Sequence, residues 1–245
     1  EGGGPHECGG LHEGVMPMSE HPDICEFYFV RHAPEVKQSG HVPPSDPPIQ
    51  KQEYATERLI QHLPHNADWH VSPLRRARET EALLVPSLAP ASRTICDALK
   101  EMDFGDWHDA PIGEVWSQIA KGPLHNWSFV GPDTQPPAGE SFATMAKRVQ
   151  RWMDSRAADF PALPPSPDSN AISRPRPQII IAHGGVMRAA MAYAMGASLS
   201  QVVGIPIAHF GLMRLSLMDP DSLIESEQAN GAGGGWLFGG LADLG

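Results

Sequence analysis

The stretch Phe27-Tyr28-Phe29-Val30-Arg31-His32 constrains this chain more than any other. Four consecutive β-prone apolar residues, without alternation, suit a strand covered on both faces, as in a parallel sheet. A second run, Gln178-Ile179-Ile180-Ile181-Ala182, has the same character and leads into His183-Gly184-Gly185. Open parallel sheets bind ligands beyond the carboxyl ends of their strands, so Arg31, His32 and His183 are expected at a common rim. Either run taken alone also fits a buried strand that happens to end in polar residues.

The remaining pattern predicts strands at Ile24–Arg31, Trp69–Val71, Thr94–Cys96 and, last, Ala208–Leu217. It predicts helices over Ile49–Leu63, from Ser72-Pro73 onward, and over Ile112–Lys121, Glu140–Phe160 and Val186–Met195. Strands alternating with helices point to an α/β fold, a three-layer α/β/α sandwich around a mostly parallel sheet. Residues 1–20 read as a disordered tail and 21–220 as one domain. Within it, the Pro/Ser-rich segment 161–177 reads as an exposed excursion and Pro123–Gly139 as a lid. Residues 221–245 read as a flexible Gly-rich tail.

Ser72 and Pro73 suit an N-cap and a first helical residue. They would place Arg75 and Arg76 in the first turn, where basic side chains oppose the helix dipole. A bound anion would remove that conflict. A solvated basic face is the simpler reading for Arg75 and Arg78, but not for Arg76. The two glycines after His183 would let backbone N–H groups approach a ligand closely. Glu101, between Leu99 and the aromatic pair Phe104 and Trp107, is a candidate general acid. From that stretch alone, an exposed loop acid is the plainer reading.

A formal net charge of −11 argues against nucleic acid or an anionic membrane as partner. No apolar run approaches the roughly 20 residues of a membrane span. Cys8, Cys25 and Cys96 are scattered, with no pair or His cluster of zinc-site spacing, which fits a reducing cytoplasmic compartment and no metal. No secretory signal is evident, so Asn126-Trp127-Ser128 reads as a chance sequon.

Five segments in order resemble the histidine phosphatase superfamily, the phosphoglycerate mutase-like group, in its branch of small bacterial phosphatases. They are Val30–Ala33, Ser72–Thr80, Glu101–Trp107, Pro137–Phe142 and Ala182–Gly185. The resemblance implies a phosphoglycerate mutase-like fold and metal-independent hydrolysis of a small phosphorylated metabolite, without cofactor. It implies that His32 is the nucleophile and becomes a phosphohistidine. Arg31, Arg76, His183 and Gly184 would bind the phosphoryl group, and Glu101 would protonate the leaving alcohol. Catalytic residues are thus His32, Glu101 and His183. Ser45–Ile49 resembles α-ribazole phosphatases, which makes α-ribazole 5'-phosphate the first substrate candidate. Phosphoglycerate mutase activity is the alternative, and the resemblance leaves room for a homodimer. Three departures stand out: Ala33 replaces a usual glycine, a later asparagine is missing, and His108-Asp109 replaces Glu-Gly.

Overall fold

The computed structural model describes residues 24–119, 131–160, 175–219 and 235–244. The expected disordered tail 1–20, most of the 161–177 excursion, the sequon and part of the lid lie outside them. Six strands form one sheet: β1 (Ile24–Arg31), β2 (Asp68–Val71), β3 (Ser92–Ile95), β4 (Gln178–Ala182), β5 (Leu212–Met218) and β6 (Trp236–Ala242). Their order is β3-β2-β4-β1-β5-β6. The four strands β3, β2, β4 and β1 run parallel, while β5 pairs antiparallel with β1, and β6 with β5.

Helices cover both faces, which makes the three-layer α/β sandwich expected from the sequence. The helices are α1 (Glu57–Ile60), α2 (Arg75–Leu88), α3 (Ile112–Gln118), α4 (Phe142–Ala158), α5 (Gly184–Met195) and α6 (Leu199–Val202). Alternate strand residues feed two cores, as a period of two requires. Phe27, Phe29, Ile180 and Ala182 join Met145, Val149, Trp152 and Met187 of α4 and α5. Val30, Ile179, Ile181, Trp69 and Val71 join Leu59, Ala77, Leu84 and Leu88 of α1 and α2. The unalternating apolar runs of β1 and β4 follow from this, because both faces are dry.

Helix α4 starts where Ser141 Oγ accepts the Thr144 N–H at 3.1 Å. Helix α5 ends on Gly196, whose φ of 63° is the left-handed closure that glycine permits.

Four expectations need correction. The helix over Ile49–Leu63 shrinks to Glu57–Ile60, because the chain before it is held by another segment. Val36 N–H donates to the Pro48 carbonyl and Gln50 N–H to the Pro34 carbonyl, both at 2.8 Å. Ile49 N–H donates to Glu79 Oε2 at 2.8 Å, so these groups are not available to a helical ladder. Helix α2 starts at Arg75, with Leu74 as N-cap, and its first N–H donates to Asp46 Oδ1 at 2.6 Å. Ser72 is engaged elsewhere. The strand expected over Ala208–Leu217 begins at Leu212, because Phe210 turns the chain with φ 57°. Finally, the 221–245 segment is not all tail. Residues 236–242 form β6, and Trp236 and Leu244 are buried, because this strand completes the sheet beside β5.

Candidate active site

The strand register builds the site. Arg31 lies opposite Ala182, and Val71 lies opposite Ile181, so the three strands end within one residue of one another. Their next residues, His32, His183 and Ser72, therefore meet. Backbone bonds fix them: His32 N–H donates to the Ala182 carbonyl and Ser72 N–H to the Ile181 carbonyl, each at 3.0 Å. The His32 and His183 rings stand 5.0 Å apart between centroids.

A cleft of about 430 Å³ opens over these strand ends. Arg31, His32, Arg76, Glu101 and Gly184 line it, and His183 lies fully buried beside it. The structure thus brings together all six residues singled out in the sequence. Of the three arginines in α2, only Arg76 is buried; Arg75 and Arg78 are exposed and pair with Glu79 and with the buried Glu81.

His32 is buried, and its Nδ1 sits 2.7 Å from the Ala33 carbonyl oxygen. A carbonyl only accepts, so Nδ1 carries the ring proton and Nε2 keeps the lone pair. Burial, then the Arg76 and Arg31 guanidiniums, push the His32 pKa well below 6.5, against the opposing pull of the Ala33 carbonyl and Glu35. The ring is neutral at pH 7. His183 is likewise driven far down by burial, Arg76, His32 and Arg31. Its Nε2 pairs with Ser72 Oγ at 2.8 Å, while its buried Nδ1 has no hydrogen-bond partner among the described residues.

Glu101 is placed by two backbone donors: Met102 N–H to Oε1 at 3.0 Å and Gly185 N–H, from the first turn of α5, to Oε2 at 3.1 Å. Glycine at 185 leaves the carboxylate its place, since a Cβ there would stand 2.2 Å from Glu101 Oε1 and push it aside. The loop carrying Glu101 is clamped by Arg148, whose Nη1 donates to the Ala98 and Lys100 carbonyls at 2.8 Å and whose Nη2 pairs with Glu140.

Several residues escaped the sequence reading. Thr80 Oγ1 accepts the Ala33 N–H at 2.8 Å and donates to the Arg76 carbonyl at 2.7 Å, tying the histidine loop to the arginine helix. Its i+4 spacing from Arg76 was the available signal. Arg188 lines the cleft from α5, five residues past His183. Glu35 and His209 pack against His32, with Glu35 nearly fully buried. Burial opposes ionisation of Glu35, yet the Lys37 ammonium, 2.9 Å from Oε1, holds its carboxyl below the usual range. Burial and Arg31 lower His209 to about 4. At the departure from the family pattern, Asp109 takes φ 62°, the conformation a glycine would supply, and His108 bonds Pro43 and Asp103, each at 3.0 Å.

A family model for the histidine phosphatase superfamily (branch 1) matches residues 27–226. The chain belongs to the histidine phosphatase superfamily. With that membership comes its enzyme class, phosphoric monoester hydrolase. The fold agrees with solved structures of this kind. A mycobacterial glucosyl-3-phosphoglycerate phosphatase superposes with a TM-score of 0.62 at 19% identity, over 79% of this chain and 90% of that one. The α-ribazole phosphatase from Shigella flexneri gives 0.58 at 19% identity, over 78% and 90%. A phosphoglycerate mutase from Bacillus anthracis gives 0.59 at 12% identity, over 81% and 90%. A search of curated proteins found no match. Among the described residues, no helix is long and apolar enough to cross a membrane.

Proposed function

We propose that this histidine phosphatase hydrolyses a small phosphomonoester through a phosphohistidine on His32. The observation that carries this reading is the His32 Nδ1–H bond to the Ala33 carbonyl. It leaves a neutral imidazole with its Nε2 lone pair free, in a cleft lined by Arg31 and Arg76. A neutral imidazole is the form that attacks phosphorus. Nε2 bonds to phosphorus as the ester oxygen leaves with the Glu101 proton. Water then attacks the phosphohistidine and gives a proton back to Glu101, and Nε2 departs. The two guanidiniums offset charge on the phosphoryl oxygens in both steps, the work a metal does in other phosphoryl transfers. With Ser72 donating to His183 Nε2, the Nδ1–H of His183 is a further donor to those oxygens.

The leaving group would meet Pro43, Pro44, Met102, Phe104, Ile112 and Phe142 along the cleft. That apolar wall suits an alcohol that carries a flat aromatic ring, so α-ribazole 5'-phosphate remains the first candidate substrate, of a cytoplasmic enzyme acting on a free metabolite. The experiment is a phosphate-release screen with α-ribazole 5'-phosphate, glucosyl-3-phosphoglycerate, 3-phosphoglycerate, sugar phosphates and nucleotides. Preferential release from α-ribazole 5'-phosphate supports the reading. Conversion of 3- to 2-phosphoglycerate without free phosphate would overturn hydrolysis in favour of the mutase alternative.

A further inference from the structure

The loop after β1 and the loop that carries Glu101 together wall the cleft, and they are laced to each other. Val42 N–H donates to the Ala110 carbonyl at 2.9 Å and Ile112 N–H to the Gly40 carbonyl at 2.8 Å, on either side of an antiparallel bridge between His41 and Pro111. The lacing cannot continue through Pro43 and Pro44, which have no N–H to donate. A side chain takes over there. His108 Nδ1 lies 3.0 Å from the Pro43 carbonyl oxygen, and its Nε2 lies 3.0 Å from Asp103 Oδ1. Two residues further on, the Ser45 carbonyl accepts from Arg76 Nη1 at 3.2 Å. The strap Pro43–Pro44–Ser45 thus runs from His108, on the acid-bearing loop, to an arginine of the phosphate site.

Both oxygens that His108 meets are acceptors. The carbonyl can only accept. Asp103 is an ionised carboxylate, held below the usual range by the Gly105 N–H, which donates to the same Oδ1 at 2.9 Å. A neutral imidazole has one N–H and satisfies one of the two; an imidazolium satisfies both. Charges of both signs surround the ring. Glu101 and Asp109 belong to its own loop, Lys37 and His41 to the facing loop, and Arg31 and Arg76 to the floor of the cleft. We propose that His108 fits the cleft to its leaving group: as an imidazolium it fastens the Pro43–Pro44 wall to the loop of the general acid, and so favours alcohols broad enough to rest on that wall over small ones. This holds given that the alcohol leaves along that wall, as the proposed reaction has it.

His108 acts through Pro43 and Pro44, which makes it a positioning residue. Loss of its proton, or of the side chain, leaves the backbone lacing at Gly40, Val42, Ala110 and Ile112 in place, so the fold is kept and only the strap loosens. A broad substrate must then order the strap as it binds, which costs affinity. The effect falls on KM for the broad substrate more than on kcat. Its size is that of one hydrogen bond, about fivefold. Histidine titrates in the range where enzymes work, so the preference should weaken as pH rises through the imidazole range.

The test compares naphthylethyl phosphate with ethyl phosphate on the full chain across the imidazole range. The two alcohols differ in breadth but share the reacting CH2–O–P end, so changes at Glu101 or in phosphate ionisation cancel in the ratio of their kcat/KM values. In wild type that ratio should fall about fivefold as pH rises, mostly through KM of the naphthyl substrate. His108→Gln keeps a donor near the Nε2 position and loses the one toward Pro43, so its ratio should be low at every pH. His108→Asn keeps a donor near the Nδ1 position and should recover most of the wild-type ratio, without the pH dependence. Thermal melts verify that both variants are folded. The ¹⁵N signals of the His108 ring, identified by their absence from His108→Gln, should titrate with the same midpoint as the ratio. A ratio flat with pH in wild type, a ratio in His108→Gln equal to wild type, an Asn variant no better than Gln, or a midpoint that differs from that of the ring would overturn the proposal. Failure of the proposed reaction shows elsewhere, as turnover by His32→Ala equal to wild type, and the ratio and the ring titration still decide the part played by His108.

Discussion

Replacing Gly185 with alanine tests how narrowly Glu101 is placed. The new Cβ would stand 2.2 Å from Glu101 Oε1, 3.1 Å from its Cδ and 3.2 Å from Met145 Cε. Ordinary contact begins at 3.4 Å, so the carboxylate must retreat by roughly 1 Å, and displacements of that size cost on the order of 10²-fold in rate. The change corresponds to about 2.7 kcal/mol of barrier. Helix stability should not suffer, since alanine is favoured over glycine in helices by about 1 kcal/mol. Steady-state hydrolysis of para-nitrophenyl phosphate should therefore show kcat down about 100-fold with a melting temperature near that of wild type. In a Glu101→Gln background the same change should cost little, because the residue it disturbs has already lost its proton-transfer role. A Gly185→Ala enzyme within twofold of wild type, or a full loss repeated in the Glu101→Gln background, would refute the reasoning.

Three more outcomes are expected. Thr80→Val leaves the Ala33 N–H buried without its acceptor, and should cost about 1–3 kcal/mol in denaturant unfolding together with a fall in kcat; unchanged stability would contradict the tie between the two loops. The depressed pKa of His209, with His32 and His183 shifted the same way, means that the unfolded chain takes up protons before the folded one does. Stability should be full above pH 6.5 and fall as pH drops toward 4, and a melting temperature flat across that window would contradict it. Trp236→Ala removes a fully buried indole packed 4.6 Å from Phe27 between ring centroids, and should destabilise by about 3–5 kcal/mol in chemical denaturation. A change under about 1 kcal/mol would restore the tail reading of that segment.

The parts of the fold visible in the sequence were those whose physics is local. β1 and β4 announce themselves because a strand dry on both faces must be apolar throughout, and His32 and His183 follow directly from where those runs stop. Arg76 was legible because a cation in the first turn of a helix needs a reason to be there. The clamp on Glu101 and the tie through Thr80 were not, because each depends on partners brought together by the sheet: Arg148 is 50 residues from Ala98, and Thr80 is 47 from Ala33. Glu35 and His209 were hidden in the same way, since 177 residues separate His209 from the carbonyl that orients it. The helix expected over 49–63 failed because its backbone donors found partners in a neighbouring loop. β6 failed for a different reason. Its seven residues follow a glycine tract, and only the open edge of β5 makes a strand of them.

The most direct measurement is the position of the phosphoryl group on the trapped enzyme. Rapid quenching in alkali during turnover by Glu101→Gln, followed by peptide mapping and ³¹P spectroscopy, reads both the residue and the ring nitrogen. The account predicts phosphate on His32, bonded to Nε2. Phosphate on another residue, attachment through Nδ1, or full turnover by His32→Ala would contradict it.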